Sequence, residues 1–330
     1  MPRTSLITGT TGFVGAAVVR YLLEAGEHVK ALVRKDSDLG NLNGLKLEHV
    51  YGDLRDKDSL RHAMKSCQRL YHVAAYYSLW TPDPRILYES NVDGTQNILE
   101  AAKELGLEKV VYTSTVGALG IPKEGGPGNE ETPVVYDEII GHYKRSKYLA
   151  EQVALRMAKQ GLPIVIVNPS APIGLRDIKP TPTGKMIVDF LKGLMLAYID
   201  TGMNLVDVDD VAAGHLLAAE KGRIGEKYIL GHRNMTLKEI GDLMSQISGI
   251  PAPRIKIPRE AVLPLAYVNQ WISNYITKKP PLIPLDGVKM AKKYMYYDST
   301  KAIKDLGLPQ TPIEVAMEKA IKWFKDNRYV

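Results

Sequence analysis

Residues 5–35 read SLITGTTGFVGAAVVRYLLEAGEHVKALVRK, and this stretch decides the fold. A short apolar run ending at Gly9 predicts a strand. Gly12 and Gly15 follow at three-residue intervals. VVRYLLEAG then has helical periodicity closed by Gly26, and HVKALV reads as a second strand. In this setting one glycine permits a tight turn, one lets the backbone approach a pyrophosphate, and one lets the helix pack close to the sheet. Free N–H groups at the helix N-terminus then face the phosphates. Three glycines alone are weak evidence, but between a strand and a helix they indicate a dinucleotide site. Gly9, Thr11, Gly12, Phe13, Val14 and Gly15 are its first candidate contacts.

The alternation continues outward. LEHVYGDLRD is a third strand, with Asp53 and Leu54 at its end suited to the edge and face of an adenine. RLYHVAA is a fourth; Ala74 and Ala75 are small enough to let a cofactor lie close, and Tyr76, Tyr77 and Trp80 follow. YESNVDGTQNILEAAKELG reads as one long helix. KVVYTSTVGALG is a fifth strand running into Thr113, Ser114 and Thr115, and LPIVIVNPS is a sixth, ending at Pro169 and Ser170. Strands separated by helices imply a parallel sheet covered on both faces, with ligands beyond the carboxyl ends of the strands. The expected fold class is α/β, a Rossmann-type doubly wound parallel sheet with a smaller C-terminal α/β substrate-binding domain. The nucleotide domain is expected over 1–167 plus about 203–225, and the substrate domain over 168–202 and 226–330.

Which dinucleotide binds depends on the end of the second strand, where an acid would hold the 2′-hydroxyl of NAD. That region reads VRKDSD, with Val33 at the acid's place and Arg34 and Lys35 next. Two cations suit a 2′-phosphate, so NADP is favoured. Asp36 or Asp38 reaching the ribose would instead suit NAD.

Composition narrows the classes. The chain has 330 residues, 45% of them hydrophobic, and Lys plus Arg exceed Asp plus Glu by 43 to 37. That surplus is scattered rather than gathered in a basic arm, so nucleic acid is not indicated. Cys67 is the only cysteine, which excludes an intrachain disulfide and a thiolate metal cluster and fits a reducing compartment. The histidines show no HExxH or comparable spacing, so no metal is expected. No run approaches the roughly 18–20 apolar residues of a membrane span. TSLI at 4–7 already reads as a strand and leaves no room for a cleaved signal peptide, and a cytoplasmic location is expected.

HYKRSKYLAEQ at 142–152 places Tyr143 and Lys147 one helical turn apart on one face. Carbonyl chemistry beside a nicotinamide needs a proton donor or acceptor, and tyrosine, with a reference pKa of about 10, needs a cation to stabilise its phenolate. Lys147 can do that while touching the nicotinamide ribose. Ser114 or Thr115 can hold the substrate oxygen.

On these residues the chain resembles the extended short-chain dehydrogenases/reductases, the superfamily of NAD-dependent epimerase/dehydratases and dihydroflavonol reductases. Gly9, Gly12, Gly15, Asp53, the YxxxK pair Tyr143 and Lys147, and VDVDDVAAGH at 206–215 carry the resemblance. HVAAYYSLWTPDP, IGHYKRSKYLAEQ and NPSAPIGLRDIKPTPTGKMIVDFLKG are similar to the bacterial group of hopanoid-associated sugar epimerases, over nearly the whole chain. In the superfamily the catalytic hydroxyl is the last of a three-residue run, which implies Thr115 rather than Ser114; serine is commoner there. Asn91 matches an asparagine that braces the active-site helix, with a buried cap or core residue as the alternative. Asp209 or Asp210 reads as a helix cap and interdomain brace. Related folds pair through the helices near 91–105 and 143–159, so the resemblance implies a homodimer.

Three functions fit. A reductase passes hydride from NADPH to a ketone or aldehyde, with Tyr143 protonating the oxygen. A nucleotide-sugar epimerase or dehydratase uses the same tyrosine with tightly bound NAD. A nucleotide-sensing scaffold would be expected to have lost the Tyr and Lys pair, which is intact. The missing acid at Val33 favours the reductase, acting on a small carbonyl or sugar-like molecule. By location, Tyr77 and Trp80 would wall the substrate pocket, Arg176 and Lys179 would meet an anionic group, and 124–138 would form a lid. The apolar stretch AVLPLAYVNQWISNYI at 261–276 is expected to be a core helix, with a substrate cleft or a membrane surface as alternatives.

Overall fold

The computed structural model describes residues 3–330. Its first half builds β1 (Thr4–Thr8), α1 (Phe13–Glu24), β2 (His28–Val33), β3 (Glu48–Tyr51), α2 (Lys57–Met64), β4 (Arg69–His72), α3 (Arg85–Tyr88), α4 (Gly94–Glu104), β5 (Lys109–Thr113), α5 (His142–Lys159) and β6 (Ile164–Pro169). β6 is buried along its whole length, as a strand covered on both faces must be. Then come β7 (Ala171–Ile173), α6 (Pro182–Leu191), β8 (Ala197–Ile199), β9 (Gly202–Asp207), α7 (Val208–Lys221), β10 (Lys227–Leu230), β11 (Arg233–Thr236) and α8 (Leu237–Ser248). The chain closes with β12 (Ile255–Ile257), α9 (Arg259–Ile272), α10 (Leu285–Met290), α11 (Thr300–Leu306) and α12 (Ile313–Asp326).

Seven parallel strands form the main sheet in the order β10-β6-β5-β4-β1-β2-β3. The α/β, doubly wound class is therefore as expected. The order reverses between β1 and β4, which opens the crevice where such sheets bind ligands. Leu22, Val211 and Ala218 of α1 and α7 belong to the core on one face of the sheet, and Leu60, Ile98 and Val153 of α2, α4 and α5 to the core on the other. A third core gathers Phe190, Met244 and Phe324 from α6, α8 and α12, against Leu205 of β9 and Met235 of β11.

Three features depart from the sequence reading. EKYILG, expected in the smaller region, supplies β10, which extends the main sheet beyond β6. The helix expected over 88–106 is interrupted by a π turn, Glu89–Asp93, which carries Asn91. Such turns re-aim side chains and cluster at functional sites. Finally, α9 is not a core helix: of its residues only Ala266 is buried.

Candidate active site

Each glycine of the nucleotide loop has a physical reason. Gly9 has φ +72°, and a Cβ there would come 2.7 Å from the Ala74 backbone nitrogen. A Cβ on Gly15 would lie 2.6 Å from the Gly9 carbonyl carbon and closer still to its oxygen, so glycine lets α1 seat on the loop. Gly12 is different: its nearest neighbour would be Gly9 O at 3.3 Å, and the space beyond is open. Gly12 caps α1 without a side-chain hydrogen bond, and no acid lies in the first turn. Exposed N–H groups, an open cradle and no competing carboxylate suit a pyrophosphate.

The rest of the crevice is tied to this loop. Thr8 Oγ1 accepts a hydrogen bond from Ala74 N at 3.0 Å and shares another with His72 Nδ1 at 2.8 Å. Thr11 accepts from Asn41 Nδ2 through its carbonyl, Phe13 is buried and Val14 half-buried. Leu54 packs against the α4 side of the core beside Gly94, where a Cβ would press on it at 2.9 Å. Asp53 is chelated by Arg55, whose hydrogen bonds hold its carboxyl down at about 2. Arg34 is exposed and pairs with Asp36 at 3.6 Å, and Lys35 is exposed beside it. At the ends of β5 and β6 the hydroxyls of Ser114 and Ser170 are buried without a partner. Ala75 is exposed after β4, and Pro169 is buried at the end of β6. The residues present therefore fit a nicotinamide dinucleotide.

The chemistry-bearing side chains converge on α5. This helix starts after Gly141 (φ +85°), where a Cβ would collide with Asp286. Tyr143, Lys147 and Glu151 repeat every four residues and so share a face. The Tyr143 ring meets Tyr77 edge-on with centroids 4.5 Å apart. Burial, with Tyr77 beside it, raises the Tyr143 pKa and keeps the phenol protonated. Lys147 is buried and donates to the Thr113 carbonyl at 2.8 Å and to Tyr112 Oη at 3.1 Å. Burial lowers its pKa to about 8, with Glu151 opposing that shift. Its ammonium thus lies one turn from Tyr143 but bonds other groups, so direct tuning of the phenol is not what this geometry displays.

Thr115 Oγ1 accepts the Gly117 N–H at 3.1 Å, which leaves the hydroxyl proton free to point at a ligand. The Thr113 side chain faces the other way, bonded at 2.9 Å to His215 Nε2. His215 Nδ1 lies 2.7 Å from the Val211 carbonyl and donates to it, so Thr113 is the donor to Nε2. Thr113 therefore reaches the crevice only through its carbonyl. Asn91 accepts from Tyr76 N at 2.7 Å and donates to Tyr76 O at 3.0 Å and Ser146 Oγ at 2.9 Å. It clamps the loop after β4 to α5.

The substrate candidates divide. Tyr77 touches Tyr143, and Trp80 Nε1 donates to Asn274 Oδ1 at 2.7 Å, linking that wall to the turn after α9. Arg176 and Lys179 are exposed elsewhere: Arg176 lies near Arg20 of α1, and Lys179 pairs with Asp38 at 3.5 Å on the loop after β2. These two cations border the nucleotide side rather than the Tyr143 side. The 124–138 segment is pinned at Gly128, which bonds Tyr296 and Asp298, and at the buried Glu130, which accepts from Ile229 N at 2.8 Å. A cavity of about 700 Å³ lies between this segment and Lys293–Tyr296, and neither Tyr143, Lys147 nor Thr115 lines it.

Asp207 caps α7 by accepting from Asp209 N, Asp209 pairs with Lys319, and Asp210 accepts from Thr311 N and Oγ1. The cap is therefore Asp207 rather than Asp209 or Asp210, which instead brace α7 to the C-terminal segment. Sequence reasoning missed Glu151 and Asn168: Asn168 Nδ2 bridges the Thr115 carbonyl at 3.1 Å and Glu151 Oε2 at 2.8 Å. The four-residue repeat from Tyr143 was the signal for Glu151. It also missed Lys144, half-buried over Gly117 with Met295 Sδ at 3.6 Å as its hydrogen-bond partner. Among the described residues no cluster suits a metal ion, and no helix is long and apolar enough to cross a membrane.

Comparisons with known proteins place the chain in a family. Residues 5–231 match the NAD dependent epimerase/dehydratase family. A Synechocystis protein with the provisional name dihydroflavonol 4-reductase is 50% identical, over 98% of this chain and 95% of its own length. Sterol demethylase protein B of Methylococcus capsulatus is 35% identical, over 98% and 99%. The crystal structure of gox2253 superposes with a TM-score of 0.89 at 47% identity, covering 99% of each chain.

Proposed function

Because the chain belongs to the NAD dependent epimerase/dehydratase family, we propose that it is an NADPH-dependent reductase of ketones or aldehydes, of the dihydroflavonol-reductase-like type. One observation carries the reading: Lys147 is bonded to the Thr113 carbonyl, which brings the intact Tyr143 and Lys147 pair to the end of the strand that presents Thr115. The high similarity to a protein with a dihydroflavonol 4-reductase name supports a reductase. So do Arg34 and Lys35 with Val33 in place of an acid.

In this reading the Gly9–Gly15 loop holds the pyrophosphate, Asp53 and Leu54 the adenine, and Arg34 and Lys35 the 2′-phosphate. Ala74, Ala75, Tyr76, Pro169 and Ser170 line the remaining path. The nicotinamide cofactor, when bound, supplies the hydride. Thr115, its oxygen already accepting from Gly117, donates a hydrogen bond to the substrate carbonyl and keeps its proton, with Ser114 beside it. Tyr143, kept neutral by burial, gives its proton to that oxygen as negative charge develops. Lys147, bonded to Tyr112 and the Thr113 carbonyl rather than to the phenol, contributes a positive field to the phenolate left behind from one helical turn away. Asn91 fixes the loop that carries Tyr77 and Trp80. Residues 1–167 with 203–225 form the nucleotide domain and 168–202 with 226–330 the substrate domain, apart from β10, with Pro169 and Ser170 reaching the nucleotide and Tyr77 and Trp80 reaching the substrate across that boundary. A homodimer through α4 and α5 belongs to the same reading.

The test is transfer of deuterium from 4-deuterated NADPH to a panel of ketones and aldehydes, read by mass. Label in the alcohol product, abolished in Tyr143→Phe, is expected. Label transfer unchanged in Tyr143→Phe would overturn the assignment. The second reading, an epimerase or dehydratase with retained NAD, draws support from the family itself and from Arg34 being engaged by Asp36. It predicts turnover of a nucleotide sugar with no net label transfer.

A further inference from the structure

Helix α9 and the π turn Ser273–Thr277 that follows it carry apolar side chains on both sides. One side packs inward: Val262, Leu263 and Ala266 meet Ile283, Leu285 and Val288. The other faces solvent. Leu265, Val268, Trp271 and Tyr275 are 61%, 58%, 56% and 69% exposed, and their spacing of three, three and four residues sets them in one stripe. Ile276 and Leu282, further along the chain, are also exposed, at 64% and 92%. Scattered exposed apolar residues need no explanation, but a contiguous stripe marks an interaction surface.

The charges around the stripe are one-sided. Lys278 and Lys279 follow it directly, and Lys289 stands over the Tyr267 ring at 5.4 Å. Of the nearby acids, Glu260 is paired with Arg259 at 2.7 Å and Asp286 turns inward against Gly141. A second copy of this chain would bring cations against cations, whereas anionic headgroups would complement them. Trp271, Tyr267 and Tyr275 have the amphipathic rings that settle at a headgroup boundary. With 14 residues, α9 is too short to span a bilayer but long enough to lie in its surface.

We propose that the α9 stripe docks this protein on an anionic lipid bilayer surface, with the apolar side chains in the headgroup and acyl boundary and Lys278, Lys279 and Lys289 against the headgroups. The Trp80 to Asn274 hydrogen bond places this surface beside the wall of the candidate active site. The proposal stands whether or not the reductase reading does.

The test is co-sedimentation of the full-length protein with vesicles of phosphatidylglycerol and phosphatidylcholine, and with vesicles of phosphatidylcholine alone. The wild type is expected to partition onto the anionic vesicles. The triple variant Leu265→Gln, Val268→Gln, Trp271→Gln should lose at least about tenfold of that partitioning with an unchanged thermal melt. Lys278→Gln with Lys279→Gln should lose about fivefold per lysine on anionic vesicles and nothing on neutral ones. No binding by the wild type, or equal binding by the variants, would overturn the proposal. A wild-type dimer that the triple variant dissociates, seen by sedimentation velocity, would assign the stripe to a second copy and overturn it too.

Discussion

Alanine at Gly12 and alanine at Gly15 should fail in opposite ways, although the two glycines are three residues apart in one loop. At Gly15 the new Cβ would lie 2.6 Å from the Gly9 carbonyl carbon, where ordinary contact begins near 3.4 Å. The obstacle is backbone, so α1 must retreat by roughly an ångström and loosen its packing on β1. Overpacking of this kind costs about 3 kcal/mol, at the upper end of the usual range. For a chain of 330 residues that corresponds to a fall in Tm of about 4 °C. At Gly12 the Cβ would meet only Gly9 O, at 3.3 Å, and φ is −82°, which alanine adopts freely. Stability should change by no more than about 1 kcal/mol. The methyl group would nonetheless fill the space a pyrophosphate needs, and NADPH affinity should fall at least about tenfold, or about 1.4 kcal/mol. Thermal melts and fluorescence titration with NADPH separate the two effects. A Gly12→Ala protein that binds nucleotide like the wild type would refute the cradle. A Gly15→Ala protein as stable as the wild type would refute the packing argument.

Tyr143→Phe should lower kcat by about a hundredfold to ten-thousandfold while leaving NADPH affinity within about twofold, checked by steady-state kinetics and titration. Thr115→Ser should keep most activity because it keeps the hydroxyl, whereas Thr115→Val should lose about a hundredfold or more in kcat/KM. Arg34→Ala should weaken NADPH binding by about tenfold or more and leave NADH unchanged, as loss of a charge-assisted bond to a phosphate predicts. Lys147 is held down to about 8 by burial and is charged only below that pH. In a pH profile, kcat/KM should therefore be flat below about pH 8 and fall above it. Lys144→Met should leave that alkaline limb in place, since Lys144 bonds Met295 rather than the reacting groups.

What the sequence disclosed was mostly local. Gly9, Gly12 and Gly15 could be read because turn geometry, helix start and close packing all act within seven residues. Tyr143 and Lys147 could be paired because helical spacing alone sets them on one face. What escaped depends on distant partners. EKYILG has the apolar pattern of a buried strand, but the pattern does not say which sheet it joins; pairing with β6 decided that. Thr113 was expected as a cofactor contact, but its hydroxyl is taken by His215, from α7, a partner the local sequence does not reveal. Lys147 bonds Tyr112 and the Thr113 carbonyl, contacts that bring residues about 35 positions apart together. α9 was misread for a related reason: apolar periodicity marks a face that avoids water without showing whether this chain covers it.

The account rests on a site that exchanges NADPH with every turnover. The most direct measurement is to denature the purified protein, identify any released nucleotide, and titrate the emptied protein with NADPH and NADH. The account predicts no retained nucleotide and clearly tighter binding of NADPH. Retained NAD, with no preference for the phosphorylated form on titration, would contradict it and make the epimerase reading the better one.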